Sequence, residues 1–82
     1  VPTVSISGTS LDAFTGGKSE LEVEATTFRR LIHELEKRFP GIGMQVEETM
    51  AVAVDGVIFQ DAYDLKLSPE SEIFLIPKIG GG

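Results

Sequence analysis

Glu72-Ile73-Phe74-Leu75-Ile76-Pro77-Lys78-Ile79-Gly80-Gly81-Gly82 closes the sequence, and its reading decides the fold. Residues 72–77 are rich in β-branched and aromatic side chains and read as a strand. Side chains alternate along a strand, so Ile73 and Leu75 share one face and Phe74 and Ile76 the other. A strand apolar on both faces belongs in the middle of a sheet, yet one helix cannot cover both faces of a sheet this small. The expectation is that a helix covers Ile73 and Leu75. Phe74 and Ile76 then form an apolar patch on the open face, joined by an outward side chain from Ile58 or Phe59. Contiguous exposed apolar surface marks a binding site, so Phe74, Ile76 and Phe59 are the candidate partner-docking residues.

The glycines follow that strand without a linker. At ordinary glycine usage of about 7%, three at a terminus arise by chance about 0.03% of the time, which makes their position informative. Glycine has no Cβ and lets a backbone lie close to another surface. A thread of this kind offers one special group, an α-carboxylate that is ionised at neutral pH. A carboxylate is a poor acyl donor until an enzyme activates it, for instance as an acyl-adenylate. Gly82 is therefore the candidate reactive residue, with catalysis supplied by another protein. Residues 1–77 are expected to form one domain and 78–82 a flexible C-terminal glycine tail.

Composition narrows the classes further. The 82 residues suit a single domain, and 41% hydrophobic content suffices for one core. No apolar run is long enough to span a bilayer, no secretory leader is expected from Val1-Pro2 onward, and the expected location is cytoplasmic. The absence of cysteine excludes disulfides, thiolate metal sites and thiol nucleophiles. A single histidine argues against a histidine metal cluster, and no metal ligands are assigned. The net charge of −6 argues against non-specific nucleic-acid binding and suggests a partner with a basic face.

Upstream, Val4-Ser5-Ile6-Ser7 alternates as a first strand with Val4 and Ile6 inward. A connection from Gly8 to Lys18 follows, anchored by Leu11 and Phe14. Gly16-Gly17-Lys18-Ser19 is not a phosphate-binding loop. The required earlier glycine is Asp12, and Ser19 to Glu24 alternates as a strand where a helix should open. Leu21 and Val23 face inward there, and three glutamates face out. Phe28, Leu31, Ile32, Leu35 and Phe39 make one helical apolar stripe, with Thr27 as N-cap and Pro40-Gly41 as the stop. Glu34 and Arg38 stand at i,i+4. Gly43 to Thr49 reads as loop. Met50 to Val54 reads as a strand, Asp55-Gly56 as a tight hairpin turn, and Val57 to Phe59 as a short return strand. Asp61 to Lys66 reads as irregular. Leu67 plugs the core before a Ser68-Pro69-Glu70-Ser71 turn.

The order strand, strand, helix, strand, short strand, strand implies an α+β domain. It is a β-grasp, ubiquitin-like mixed sheet of about four to five strands with one main helix packed across it. Over nearly the whole chain this resembles the ubiquitin-like sulfur carriers of the MoaD/ThiS group, which includes the small subunit of molybdopterin synthase. The matching stretches are the Thr27-Phe28 helix start, Phe39-Pro40-Gly41, Val52 to Gly56, and above all Glu72 to Pro77 running to Gly81-Gly82. The resemblance implies that a ubiquitin-activating-type adenylating enzyme uses ATP and Mg²⁺ to convert the Gly82 carboxylate to an acyl-adenylate. A sulfur donor protein then displaces AMP and leaves a thiocarboxylate. The sulfur passes to an acceptor held by a large synthase subunit or another enzyme: a molybdopterin precursor first, otherwise a thiazole, a cysteine precursor or tRNA. Gly81 gives steric access, while Gly80 and Ile79 are threaded tail. The domain itself binds no cofactor, contacts neither nucleic acid nor membrane, and is a carrier rather than an enzyme. Lys78 stands where many members have a second proline, and the Thr15-to-Lys18 connection resembles carriers that feed cysteine synthesis. A ubiquitin-like modifier conjugated through Gly82, or a β-grasp interaction module with an incidental tail, remain the alternatives.

Overall fold

The computed structural model describes residues 1–9, 11–59 and 64–78. Among them, five strands form one sheet: β1 (Thr3–Ile6), β2 (Glu20–Glu22), β3 (Met50–Val54), β4 (Val57–Phe59) and β5 (Glu72–Pro77). The spatial order is β2-β1-β5-β3-β4. The last strand in sequence is therefore central, parallel to β1 and antiparallel to β3, as its two apolar faces require. Three helices accompany the sheet: α1 (Asp12–Thr15), α2 (Phe28–Arg38) and α3 (Ile42–Thr49).

Val4, Ile6, Leu21, Val52, Val54, Ile73 and Leu75 of the sheet cluster with Phe28, Leu31 and Leu35 of α2 and Ile42 and Val46 of α3. Leu11 and Leu67 close the ends of this core, each buried as read from the sequence. Phe14, Ile32 and Phe39 pack against it half-buried. α2 begins where expected. Thr27 has extended backbone, and its hydroxyl oxygen accepts from the Arg30 N–H at 3.2 Å, relieving one of the first-turn amides. Arg38 pairs with Glu34 at 2.6 Å and also donates to the Glu22 carbonyl at 3.0 Å, which ties the end of α2 to β2. The Asp55-Gly56 turn has φ of 49° and 85°, the left-handed pair that a two-residue hairpin with native twist demands.

Three expectations need correction. The connection from Gly8 to Lys18 contains the short helix α1, closed by the left-handed Gly16 whose N–H donates to the Asp12 carbonyl at 2.9 Å. The second strand is shorter than Ser19 to Glu24, although Val23 beyond its end is still fully buried. The segment Gly43 to Thr49 is not a loop but belongs to α3, so α2 is not the sole helix on the sheet. The sequence conceals α3 because only Ile42 and Val46 mark its buried face and Gly43 in its first turn lowers its propensity. Its first amides are met by a residue of α2: the Glu36 carboxylate accepts from Gly41 N–H at 2.6 Å and Gly43 N–H at 2.9 Å. Of the stretch Asp61 to Lys66, residues 61–63 lie outside the described residues, and Lys66 forms an isolated bridge with Thr27.

The amides of Gly41 and then Gly43 hold the Glu36 carboxyl below its ordinary value of 4.5, against a smaller opposing effect of desolvation. A depressed folded-state pKa means that this contribution to stability is full above the unfolded pKa and is lost as pH falls through the folded value. The thermal midpoint of the wild type should therefore fall below pH 4.5 more steeply than that of Glu36→Gln, as followed by circular dichroism across the acid range.

Candidate functional site: the open sheet face and the tail exit

Registration of the strands decides which side chains look away from the helices. Ala53 stands opposite both Phe74 and Ile58, and Ala51 stands opposite Ile76. Partners directly across a ladder share a face, so Ala51, Ala53, Ile58, Phe74 and Ile76 lie together on the face opposite the core. Phe74 is 36% exposed and Ile58 67% exposed, whereas Ile73 and Leu75 between them are fully buried on the other side. Phe74 and Ile76 are thus where the sequence placed them. Phe59 is not. It pairs with Val52 and packs half-buried against the core, so it belongs to the helix-covered face and Ile58 takes its place in the patch.

The signal for that correction was present in the sequence. A two-residue turn at Asp55-Gly56 forces Val54 opposite Val57 and Ala53 opposite Ile58, and Val52 and Val54 are the inward pair. Across the same face the chemistry changes with strand. Thr3 and Ser5 of β1 pair with Glu22 and Glu20 of β2, and Thr3 also pairs with Glu72. The open face is therefore apolar over β4, β3 and β5 and carries exposed carboxylates toward β2.

β5 ends beside this patch, at Pro77. The Ser7 N–H donates to the Leu75 carbonyl at 2.9 Å, so β1 holds the strand on one flank. On that flank Gly8 has φ of +79°, and a Cβ there would stand 3.2 Å from the Pro77 ring. On the other flank Lys78 donates from its backbone N–H to the Thr49 carbonyl and from Nζ to the Glu47 carbonyl, each at 2.9 Å. Ile79, Gly80, Gly81 and Gly82, the tail residues read from the sequence, lie outside the described residues. Among the described residues no group of histidine and acidic side chains could hold a metal ion, and no helix is long and apolar enough to cross a membrane. His33 is exposed on α2.

A β-grasp domain with one helix-covered face, one open apolar face and a C-terminal extension from the central strand is the architecture of a ubiquitin-like carrier. Residues 8–82 match the model of the ThiS family, and the chain belongs to that family of ubiquitin-like sulfur carriers. It is similar to a chain of the Amycolatopsis orientalis BexX/CysO complex, with 26% identity over 100% of both chains and a TM-score of 0.82. It also superposes on Mycobacterium tuberculosis CysO, an antigen, at a TM-score of 0.84, covering 96% of this chain and 100% of that one, with 20% identity that speaks for the fold alone. No curated protein matches the chain.

The two faces give a direct check by urea unfolding. Phe59→Ala should cost about 1–2 kcal/mol through lost burial against the core. Ile58→Ala, on the open face, should change stability by less than about 0.5 kcal/mol.

Proposed function

We propose that this sulfur carrier holds its cargo as a thiocarboxylate on Gly82. The observation that carries the reading is where β5 ends: Pro77 closes the central strand beside the apolar patch that the described sheet leaves uncovered, and the glycines follow it in sequence. Ile58, Phe74 and Ile76 dock an adenylating partner of the ubiquitin-activating type, and the acidic side toward β2 meets a basic rim on that partner. Residues 79–82 span at most about 14 Å when extended, enough to enter a narrow site but too short to search a wide one. Docking and delivery are therefore one event.

In the partner's site, with ATP and Mg²⁺ bound there, a Gly82 carboxylate oxygen attacks the α-phosphorus, forming the acyl-adenylate and releasing pyrophosphate. A sulfide-equivalent nucleophile from the donor protein then attacks the carbonyl carbon. The C–S bond forms, the C–O bond to AMP breaks, and AMP leaves with the electron pair. Gly81 and Gly80 admit the backbone between the walls of that site because neither carries a Cβ. No side chain of the carrier takes part in bond making.

The acceptor expected from the sequence is a molybdopterin precursor. The likeness to the BexX/CysO complex over the full chain, including the Thr15-to-Lys18 connection, instead favours a cysteine precursor.

Intact mass spectrometry tests the proposal. After incubation with ATP, a cognate adenylating enzyme and a sulfur donor, the protein should gain the mass difference between sulfur and oxygen, and a variant lacking Gly82 should gain nothing. Phe74→Asp should slow formation of this product at least about tenfold, since a charge buried at the centre of an apolar contact costs more than 1.4 kcal/mol. Failure to form any thiocarboxylate or AMP with the wild type would sink the reading.

A further inference from the structure

Helix α3 ends without a cation of its own. Its last turn holds no basic residue, yet the final carbonyls of a helix lack intrahelical partners and gather partial negative charge. Lys78 answers both needs from the far end of the chain. Its ammonium donates to the Glu47 carbonyl and its amide to the Thr49 carbonyl, so two adjacent sites on the α3–β3 corner are occupied by one residue. The amide bond extends the β3–β5 ladder one step beyond the Met50–Pro77 pair. On the opposite flank Pro77, with its ring-locked φ, stands against the bare backbone of Gly8.

We propose that Lys78 is a positioning residue: by clasping the C-terminal end of α3 it fixes the line along which residues 79–82 leave the sheet. The inference rests on the sulfur-carrier reading, because a fixed exit matters when a terminus must reach an activating site while the open face is docked. A released Lys78 adds backbone freedom that the partner must remove on binding. Only the fraction of molecules with the correct exit direction then binds productively, and apparent affinity falls by that fraction. Once the terminus is seated, the chemistry at Gly82 is unchanged. The signature is a higher KM for the carrier with an unaltered kcat.

Lys78→Met keeps the length of the stem and removes the donor, while Lys78→Arg keeps a donor. In the free full-length chain, amide hydrogen exchange at residue 78 should quicken about three- to tenfold in the Met variant, with the amides of Val52 and Leu75 unchanged and the Arg variant close to wild type. In ATP–pyrophosphate exchange with the adenylating enzyme, the Met variant should raise KM for the carrier about three- to tenfold at constant kcat, and the Arg variant should restore it. Unchanged exchange at residue 78 in the Met variant overturns the clasp, even if KM rises, since the lysine would then act on the partner. An unchanged KM, or a fall confined to kcat, overturns the positioning role. If the wild type is not adenylated at all, the carrier reading is what fails, and the hydrogen-exchange arm still decides the clasp.

Discussion

A sheet has two faces, and among the described residues the helices cover one. Every larger feature follows from that shortage. β5 sits in the middle because both of its faces are apolar, flanked by β1 and β3. α2 and α3 then bury Ile73 and Leu75 completely, while Phe74 on the reverse stays 36% exposed. Leaving an aromatic in the centre of an uncovered sheet weakens solubility and adds nothing to the core. In the proposed docking a partner completes the second layer there, and β5 ends three residues after Phe74, at Pro77.

The same economy governs the helices. α3 is eight residues long, includes a glycine and has no side-chain N-cap of its own. It persists because both of its ends are satisfied from elsewhere: Glu36 of α2 accepts from the amides at its start, and Lys78 donates to carbonyls at its finish. α2 is likewise tied down by a remote contact, since Arg38 reaches the Glu22 carbonyl and Glu34 accepts from the Glu24 amide at 3.0 Å. These are exposed or half-buried bonds, individually modest. Their importance is geometric: they tie α2 to β2 and to the start of α3, and the end of α3 to Lys78 just beyond β5.

Charge is distributed to match. The sequence is strongly acidic, and Glu20, Glu22 and Glu72 are exposed around one side of the open face. An apolar centre with a one-sided acidic margin favours one orientation of a basic-rimmed partner over others. In the proposed function, orientation sets where the terminus is delivered.

The sequence by itself determined whatever is encoded in neighbouring residues. The alternation of Glu72 to Pro77, the i,i+3,i+4 stripe from Phe28 to Phe39, the Thr27 cap and the Asp55-Gly56 turn are local, and each stands in the fold as read. The glycine end and its family likeness were legible for the same reason. Tertiary structure alone decided α3, whose cap lies five to seven residues upstream on another helix. It also decided the Lys78 anchor, whose partner is 31 residues away. Phe59 against Ile58 stands between the two: the turn encoded the register, but only the assembled ladder, with β3 committed inward by Val52 and Val54, shows which of two adjacent apolar side chains the core takes. Periodicity and caps are properties of consecutive residues, whereas satisfaction of a helix end or choice of a sheet face depends on what folding brings alongside.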